Sequence, residues 1–504
     1  MAARAAEGNR RSARRSGLLA RQTLLRRARL EPSWEAPRAP LDVGVGWRSV
    51  VEAVAGPESV EQIEAKMAPP VGVDQAEAEY QAFIEKNLPR NFAGHFMHGM
   101  LGMTGFRIFN SPTFLPAYIH LITAHMPFSD AWVGVGQALQ SLGGVISPVV
   151  GAAQVEHRKK VLPVSMWMGT LMRVQVAAIA ICAWVLHGPV LVGSIMLFLL
   201  LLGLFQGAQG VAFQMLLAKV IPIRLRGRLQ ALRNVAGGQI SAGLAYVAGR
   251  YLIGSHNNGQ FALFGNGFAT TFALSAILTS LGLTALAILM REPEPPQVRP
   301  RARTWDRMRD FPALLAADRG YMFFMIAQTC ATAGRIGVPF YILFARHIMP
   351  LTGANIGLIS LVLFEGDSLS NMLWGTLGDR LGFRTSFIGA MALWIAATVV
   401  LLIAASPAMV LVAFAGLGAA QSGFQMSSQT MVLEFGSLQD MPMRLGLSQT
   451  AQGLMNTIGP IVGGLIAVGF GYRPLFIVSI CFEAIALGLL MFVVDEPRYR
   501  RRNA

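Results

Sequence analysis

The sequence predicts an all-α membrane protein, with twelve transmembrane helices in two pseudo-symmetric six-helix bundles. Three observations predict it: a shortage of charge, a regular recurrence of long apolar runs, and an internal duplication. Of 504 residues, 53% are hydrophobic and only 14% are charged, and the mean hydropathy is +0.49. Soluble chains carry about 25% charged residues, so a set of water-soluble domains is excluded.

A spanning helix needs about 20 mostly apolar residues, because the hydrocarbon layer is about 30 Å thick. Runs of that kind have approximate cores at 93–123, 131–154, 162–186, 190–217, 229–253, 268–290, 320–345, 353–377, 385–404, 407–434, 446–468 and 474–494. Several contain glycine or proline, as in Gly134-Val135-Gly136 and Thr457-Ile458-Gly459-Pro460. Neighbouring helices re-satisfy the freed backbone groups in a membrane, and small residues let helices approach closely.

The formal net charge of +15 sits mainly in the tails and the even-numbered loops. The second loop holds Arg158, Lys159 and Lys160, and the fourth holds Lys219, Arg224, Arg226 and Arg228. The sixth carries a run of arginines from Arg291 to Arg309, and the C-terminal tail adds Arg498, Arg500, Arg501 and Arg502. Odd loops are nearly bare, Arg346 and Arg473 being the main exceptions. This bias predicts both termini in the cytoplasm, with a bacterial inner membrane as the expected location. No aromatic stacking pattern accompanies the arginines, so nucleic acid is not an expected partner.

Residues 1–90 read as a cytoplasmic extension. Its first 38 residues hold ten arginines against three glutamates, which suits a basic tail held near anionic headgroups; a transit peptide is the competing reading. Ser59 with Gln62 fits a capping box. Tyr80, Phe83, Ile84 and Leu88 form an apolar stripe, predicting one or two short amphipathic helices on the membrane surface. Cys182, Cys330 and Cys481 fall within apolar runs without metal-like spacing and read as small core residues.

The chain repeats itself. Residues 207–215 and 418–426 share Gly, Ala, Phe, Gln and Met in register, 211 residues apart. Gly105-Phe106-Arg107-Ile108 before Pro112 is echoed by Gly334-Arg335-Ile336 before Pro339. The expected organisation is a six-helix bundle over 91–290, a basic linker over 291–318, a second bundle over 319–495 and a basic tail over 496–504. Parallel repeats place a binding site at midplane between them.

The stretch Trp374-Gly375-Thr376-Leu377-Gly378-Asp379-Arg380-Leu381-Gly382-Phe383-Arg384-Thr385 resembles the signature loop of the major facilitator superfamily, G-x-L-x-D-R-x-G-x-R. Its N-terminal counterpart, residues 151–160, keeps the basic cluster but loses or shifts the acid. The resemblance implies that Asp379, Arg380 and Arg384, with Arg158 and Arg444, form cytoplasmic gates. It covers roughly residues 92–495. Two marks of the family's drug exporters are weakened: Gly203 stands where an arginine precedes Gln206-Gly207, and span five lacks a proline beside Gly237, Gly238 and Gly243.

An ionisable group at midplane costs at least about 2.5–3.5 kcal/mol, so each one needs a partner or a wet cavity. Arg107 and Arg335 occupy corresponding places on spans one and seven, which line the central cavity in this family. Two inward guanidiniums suit a carboxylate or phosphate; the competing reading makes both structural. With Asn110, Gln206, Gln209, Gln421 and Gln425 they form the expected substrate site, although the paired Gln214 and Gln425 could equally lock helix packing. Glu365 and Asp367 on span eight are the expected proton-coupling pair, Glu365 by neutralising Arg335. Arg173 is expected to snorkel, Glu483 to be structural, and His95 and His98 to be minor candidates for proton handling.

The expected function is secondary active transport of a small solute, an organic anion, by alternating access and proton coupling. Two alternatives stand: export of amphipathic compounds, or a non-transporting membrane assembly factor of the same fold. No hydrolase, metal or nucleotide motif is present in the sequence, so neither an enzyme nor a cofactor is expected. The expected partners are the solute and the lipid bilayer, with the monomer as the working unit.

Overall fold

In the computed structural model the described residues are 71–155, 158–294, 314–316, 318–435 and 441–496. The capping box at Ser59 and the basic tails lie outside them. Compact units divide between Asp74 and Gln75, and apart from the first residues of the helix that begins at Val71, all that follows concerns the second unit. A helix, or a helix broken once, occupies each of the twelve expected ranges.

Span one is α1 (Val71–Phe109) followed by α2 (Phe114–Thr123). Spans two to four are α3 (Ser129–Val155), α4 (Leu162–Val185) and α5 (Gly188–Val220). Span five is α6 (Ile223–Val247), extended by a π turn at Ala248–Ile253, and span six is α7 (Gly267–Leu289). Span seven is α8 (Arg319–Gly334), a 3₁₀ stretch at Arg335–Phe340 and α9 (Tyr341–Ala345). The rest are α10 (Gly353–Leu381), α11 (Phe383–Leu402), α12 (Pro407–Glu434), α13 (Met441–Phe470) and α14 (Tyr472–Phe492).

By length and composition, eight of these helices can cross a bilayer: α4, α5, α7 and α10 to α14. Spans one, two, five and seven fall short of that measure. Spans one and seven are interrupted, α3 carries Gln137, Gln140 and Ser141, and α6 carries Arg226, Arg228 and Arg233.

The segment from Tyr80 to Leu88 differs from expectation. The stripe from Tyr80 to Leu88 belongs to α1, which runs unbroken from Val71 through Pro89 to Phe109. No glycine or capping residue ends the helix before the apolar run begins, so it continues into the membrane. Ile84 is buried whereas Phe83 is 39% exposed, and the Tyr80 hydroxyl bonds to Lys219 O. The cysteines differ too: Cys182 and Cys330 are half-buried and Cys481 is exposed. A helix facing lipid need not bury its small residues in protein.

Equivalent contacts recur in the two halves. Thr279 packs beneath Gly105 and Glu483 beneath Gly334, each one turn past a serine, Ser275 or Ser479. Where α4 begins, Glu292 accepts the backbone N–H groups of Val161 and Leu162. Where α11 begins, Glu496 accepts from the Arg384 N–H at 3.3 Å. Orphan N–H groups at a helix start need such acceptors, and a carboxylate there also complements the helix dipole.

The halves meet in close backbone crossings at the end with few arginines. A Cβ on Gly134 of α3 would overlap Pro460 O of α13, and Gly464 of α13 lies against Ala131. Gly249 in the π turn and Gly353 at the start of α10 face each other so closely that a Cβ on either would overlap the other's carbonyl oxygen. The described structure is therefore sealed between its halves at the arginine-poor end.

Candidate functional site

Both interruptions place an arginine beside a cavity of about 510 Å³. In span one the helix stops at Phe109, and Asn110 to Thr113 turn the chain into α2. In span seven the α-helix gives way at Arg335 to the tighter 3₁₀ stretch containing Pro339. Proline removes a donor and clashes with the preceding turn, which accounts for both breaks. The cavity is lined by Arg107, Arg335, Asn110, Asp367, Gln421 and Gln425, six of the expected residues.

The two arginines have different surroundings. Arg107 Nη1 lies 2.9 Å from Asp367 Oδ2, with the side chains 18% and 19% exposed, and donates to Ser368 Oγ at 3.2 Å. This ion pair joins α1 to α10, across the halves. Arg335 meets no carboxylate among the described residues. Its guanidinium carbon lies 5.0 Å from the ring centre of Phe424 and 5.8 Å from that of Trp394, and its Nε is buried without a hydrogen-bond partner. Aromatic faces attract a guanidinium but leave its donor fork free.

The expected pairing of Glu365 with Arg335 does not form. Glu365 instead accepts from Gln239 Nε2 of α6 at 2.9 Å. Successive helical residues turn by about 100°, so positions 365 and 367 point in nearly opposite directions, and Asp367 is the one that faces the cavity. Gln206 and Gln209 also lie outside the lining. Gln206 is exposed and accepts at 3.4 Å from Gln140, which donates to Asn110 Oδ1 at 2.9 Å. Gln209 is buried, on the side of α5 that faces Gly169. Gln214 is exposed as well.

Arg173 does not snorkel. It is 4% exposed, donating to Thr279 O at 2.6 Å and Gly169 O at 2.7 Å, with His98 Nε2 at 3.3 Å from Nη2. The carbonyls of α4 and α7 satisfy it inside the bundle, so there is nothing to draw it to the surface. His95 and His98 pack on Phe213, away from the cavity. Glu483 is fully buried and accepts from Ser479 Oγ at 3.3 Å.

Of the expected gate residues, Arg444 is engaged within its own half. It bonds Asp318 Oδ2 at 2.8 Å, lies over the Tyr321 ring and receives the Tyr321 hydroxyl on its carbonyl. Arg384 clamps the end of α14, donating to Leu490 O and Met491 O at 2.7 Å each. Asp379, Arg380 and Arg158 are exposed.

Sequence reading missed Trp394, Phe424, Gln137, Ser141 and Asn456. Membrane tryptophans gather at the interfaces, so one in the middle of a span, as Trp394 is, was the available signal.

The model of the Major Facilitator Superfamily matches residues 323–504, a stretch that includes Arg335, Asp367 and the signature loop. An efflux pump, dotC, from Dothistroma septosporum is 26% identical over 126 residues. That match covers 25% of this chain and 22% of the relative, so the chain spans less than a quarter of the curated relative's length. A mutant of the nucleoside transporter NupG superposes with a TM-score of 0.62 at 13% identity, covering 79% of this chain and 99% of that one. A D-xylose-proton symporter gives 0.58 at 15% identity, with 82% and 98% covered. These two likenesses establish the fold alone. That fold extends over most of the chain, and its C-terminal segment, residues 323–504, matches the Major Facilitator Superfamily model.

Proposed function

We propose that this protein is a secondary active transporter that moves a small organic anion by alternating access, coupled to protons. The carrying observation is Arg335, a guanidinium at the cavity wall with no acid to answer it among the described residues. Its counterpart Arg107 has Asp367 on α10. The corresponding helix of the other half, α3, contains no Asp or Glu beyond Asp130 in its first turn. A substrate carboxylate or phosphate fills that vacant role. The carboxamides of Gln421, Gln425, Asn110 and Asn456 supply further hydrogen bonds, and a cavity of about 510 Å³ suits a small solute.

Asp367 supports proton coupling. A proton on its carboxyl removes the charge that holds Arg107 and so loosens a contact between the halves. With the basic loops in the cytoplasm, the sealed end faces outward. A second reading, export of an amphipathic anion, draws on the apolar wall of Phe364, Phe414 and Leu417 and on the local likeness to an efflux pump.

The test is binding by the purified chain of a panel of mono- and dicarboxylates and phosphate esters. Hydrogen bonds to charged groups contribute about 1.5–3 kcal/mol, so Arg335→Ala is expected to weaken the best ligand by about tenfold or more, with partial recovery in Arg335→Lys. Unchanged affinity for every ligand in Arg335→Ala overturns the reading.

A further inference from the structure

At the arginine-poor end, four side chains from four segments converge across the halves. His120, in the last turn of α2, and Asp130, in the first turn of α3, come from the N-terminal half. Arg346, just past α9, and Tyr472, the first residue of α14, come from the C-terminal half. Arg346 Nη1 hydrogen-bonds His120 Nε2. His120 Nδ1 stands 3.0 Å from Asp130 Oδ1, and Tyr472 donates its hydroxyl to Asp130 Oδ2 at 2.7 Å. The His120 and Asp130 side chains are only 17% and 16% exposed.

The chemistry fixes the protons. A guanidinium offers donors only, so His120 Nε2 must accept from Arg346. The ring proton then sits on Nδ1, 3.0 Å from Asp130 Oδ1, and the imidazole is neutral. A second proton, on Nε2, turns that acceptor into a donor and sets an imidazolium against a guanidinium. The His120–Arg346 contact across the halves is lost and like charges repel, while His120 and Asp130, both in the N-terminal half, attract more strongly and compete with the Tyr472 hydroxyl for that carboxylate. The ionisable groups around His120 are Asp130 from α3, Arg346 beyond α9 and Tyr472 from α14, with the His347 ring 6.1 Å from that of Tyr472. Arg346 is also one of the few arginines that break the loop-charge bias, and this contact gives it a use there.

We propose that this cluster is an acid-released latch, closed while His120 is neutral and opened when the arginine-poor face is acidified. Histidine changes charge between about pH 5 and 8, the range in which a proton gradient acts. Acid on the outer face then favours opening toward the side from which protons enter. That purpose rests on the proposed transport function, but the latch itself is a property of the conformational equilibrium and needs no substrate.

The experiment uses the full chain in lipid nanodiscs, with Cys182, Cys330 and Cys481 replaced by serine. Spin labels go on cysteines at Ala124 and Ala405, exposed positions of opposite halves at the sealed end. Between about pH 7.5 and about pH 5.5 the interspin distance is expected to lengthen. In His120→Gln the carboxamide still offers Arg346 an acceptor and takes up no proton, so the distance stays short at both values. In Arg346→Ala it is long at both. No lengthening with the latch residues intact, the same lengthening in His120→Gln, or a short distance throughout in Arg346→Ala overturns the proposal. Absent anion binding with an intact pH response removes the transport reading alone, and the converse removes the latch alone.

Discussion

Arg107 and Arg335 stand at equivalent breaks, yet only one has its charge met by the protein. A half-buried ion pair such as Arg107–Asp367 is costly to break by removing one member, because the other charge is left uncompensated. Asp367→Asn is therefore expected to keep anion-for-anion exchange but lose stimulation by an imposed pH gradient, since the carboxamide cannot carry the proton. Exchange and gradient-driven uptake, measured side by side in proteoliposomes, check this; stimulation persisting at the wild-type level counts against Asp367. Both arginines were legible in sequence because charges stand out in apolar runs. Their partners were not. Asp367 lies 260 positions from Arg107 by subtraction of residue numbers, and choosing between Glu365 and Asp367 requires knowing which face of α10 looks inward. The rings under Arg335 come from α11 and α12, helices that no local pattern ties to span seven.

At the scale of elements, close crossings of glycine-bearing helices seal one end of the molecule. Gly249 and Gly353 leave no room for a side chain on either helix, so Gly353→Val must push α6 and α10 apart. Overpacking of this kind costs about 1–3 kcal/mol, and a lower thermal midpoint in detergent is expected. Gly193→Val on α5, where a Cβ meets nothing within 4 Å, is the control and should unfold with the wild type. Equal midpoints for both variants would mean that the crossing does not set helix separation. The helices were legible because apolar length announces a span, and Pro112 and Pro339 marked both breaks. The upstream reach of α1 was not: amphipathic spacing from Tyr80 to Leu88 looks the same in a surface helix as in the first turns of a longer one.

The whole molecule combines a duplicated frame with unduplicated chemistry. The frame includes carboxylates at equivalent helix starts, Glu292 and Glu496, and serines at equivalent crossings, Ser275 and Ser479. Apart from the shared motif at 207–215 and 418–426, these correspondences were hidden in sequence, because they depend on which helix packs on which. The chemistry is one-sided: an acid on α10 without a counterpart on α3, and Glu483 where the other half has Thr279. Under the proposed function, that asymmetry leaves one arginine for cargo while the other pairs with Asp367 across the halves. Uptake of the best-binding anion into proteoliposomes, with an outward-acid pH gradient imposed, tests this division of labour most directly. Gradient-stimulated uptake is expected of the wild type, and its loss, with loss of exchange, in Arg335→Ala. Uptake at the wild-type rate in Arg335→Ala would contradict it.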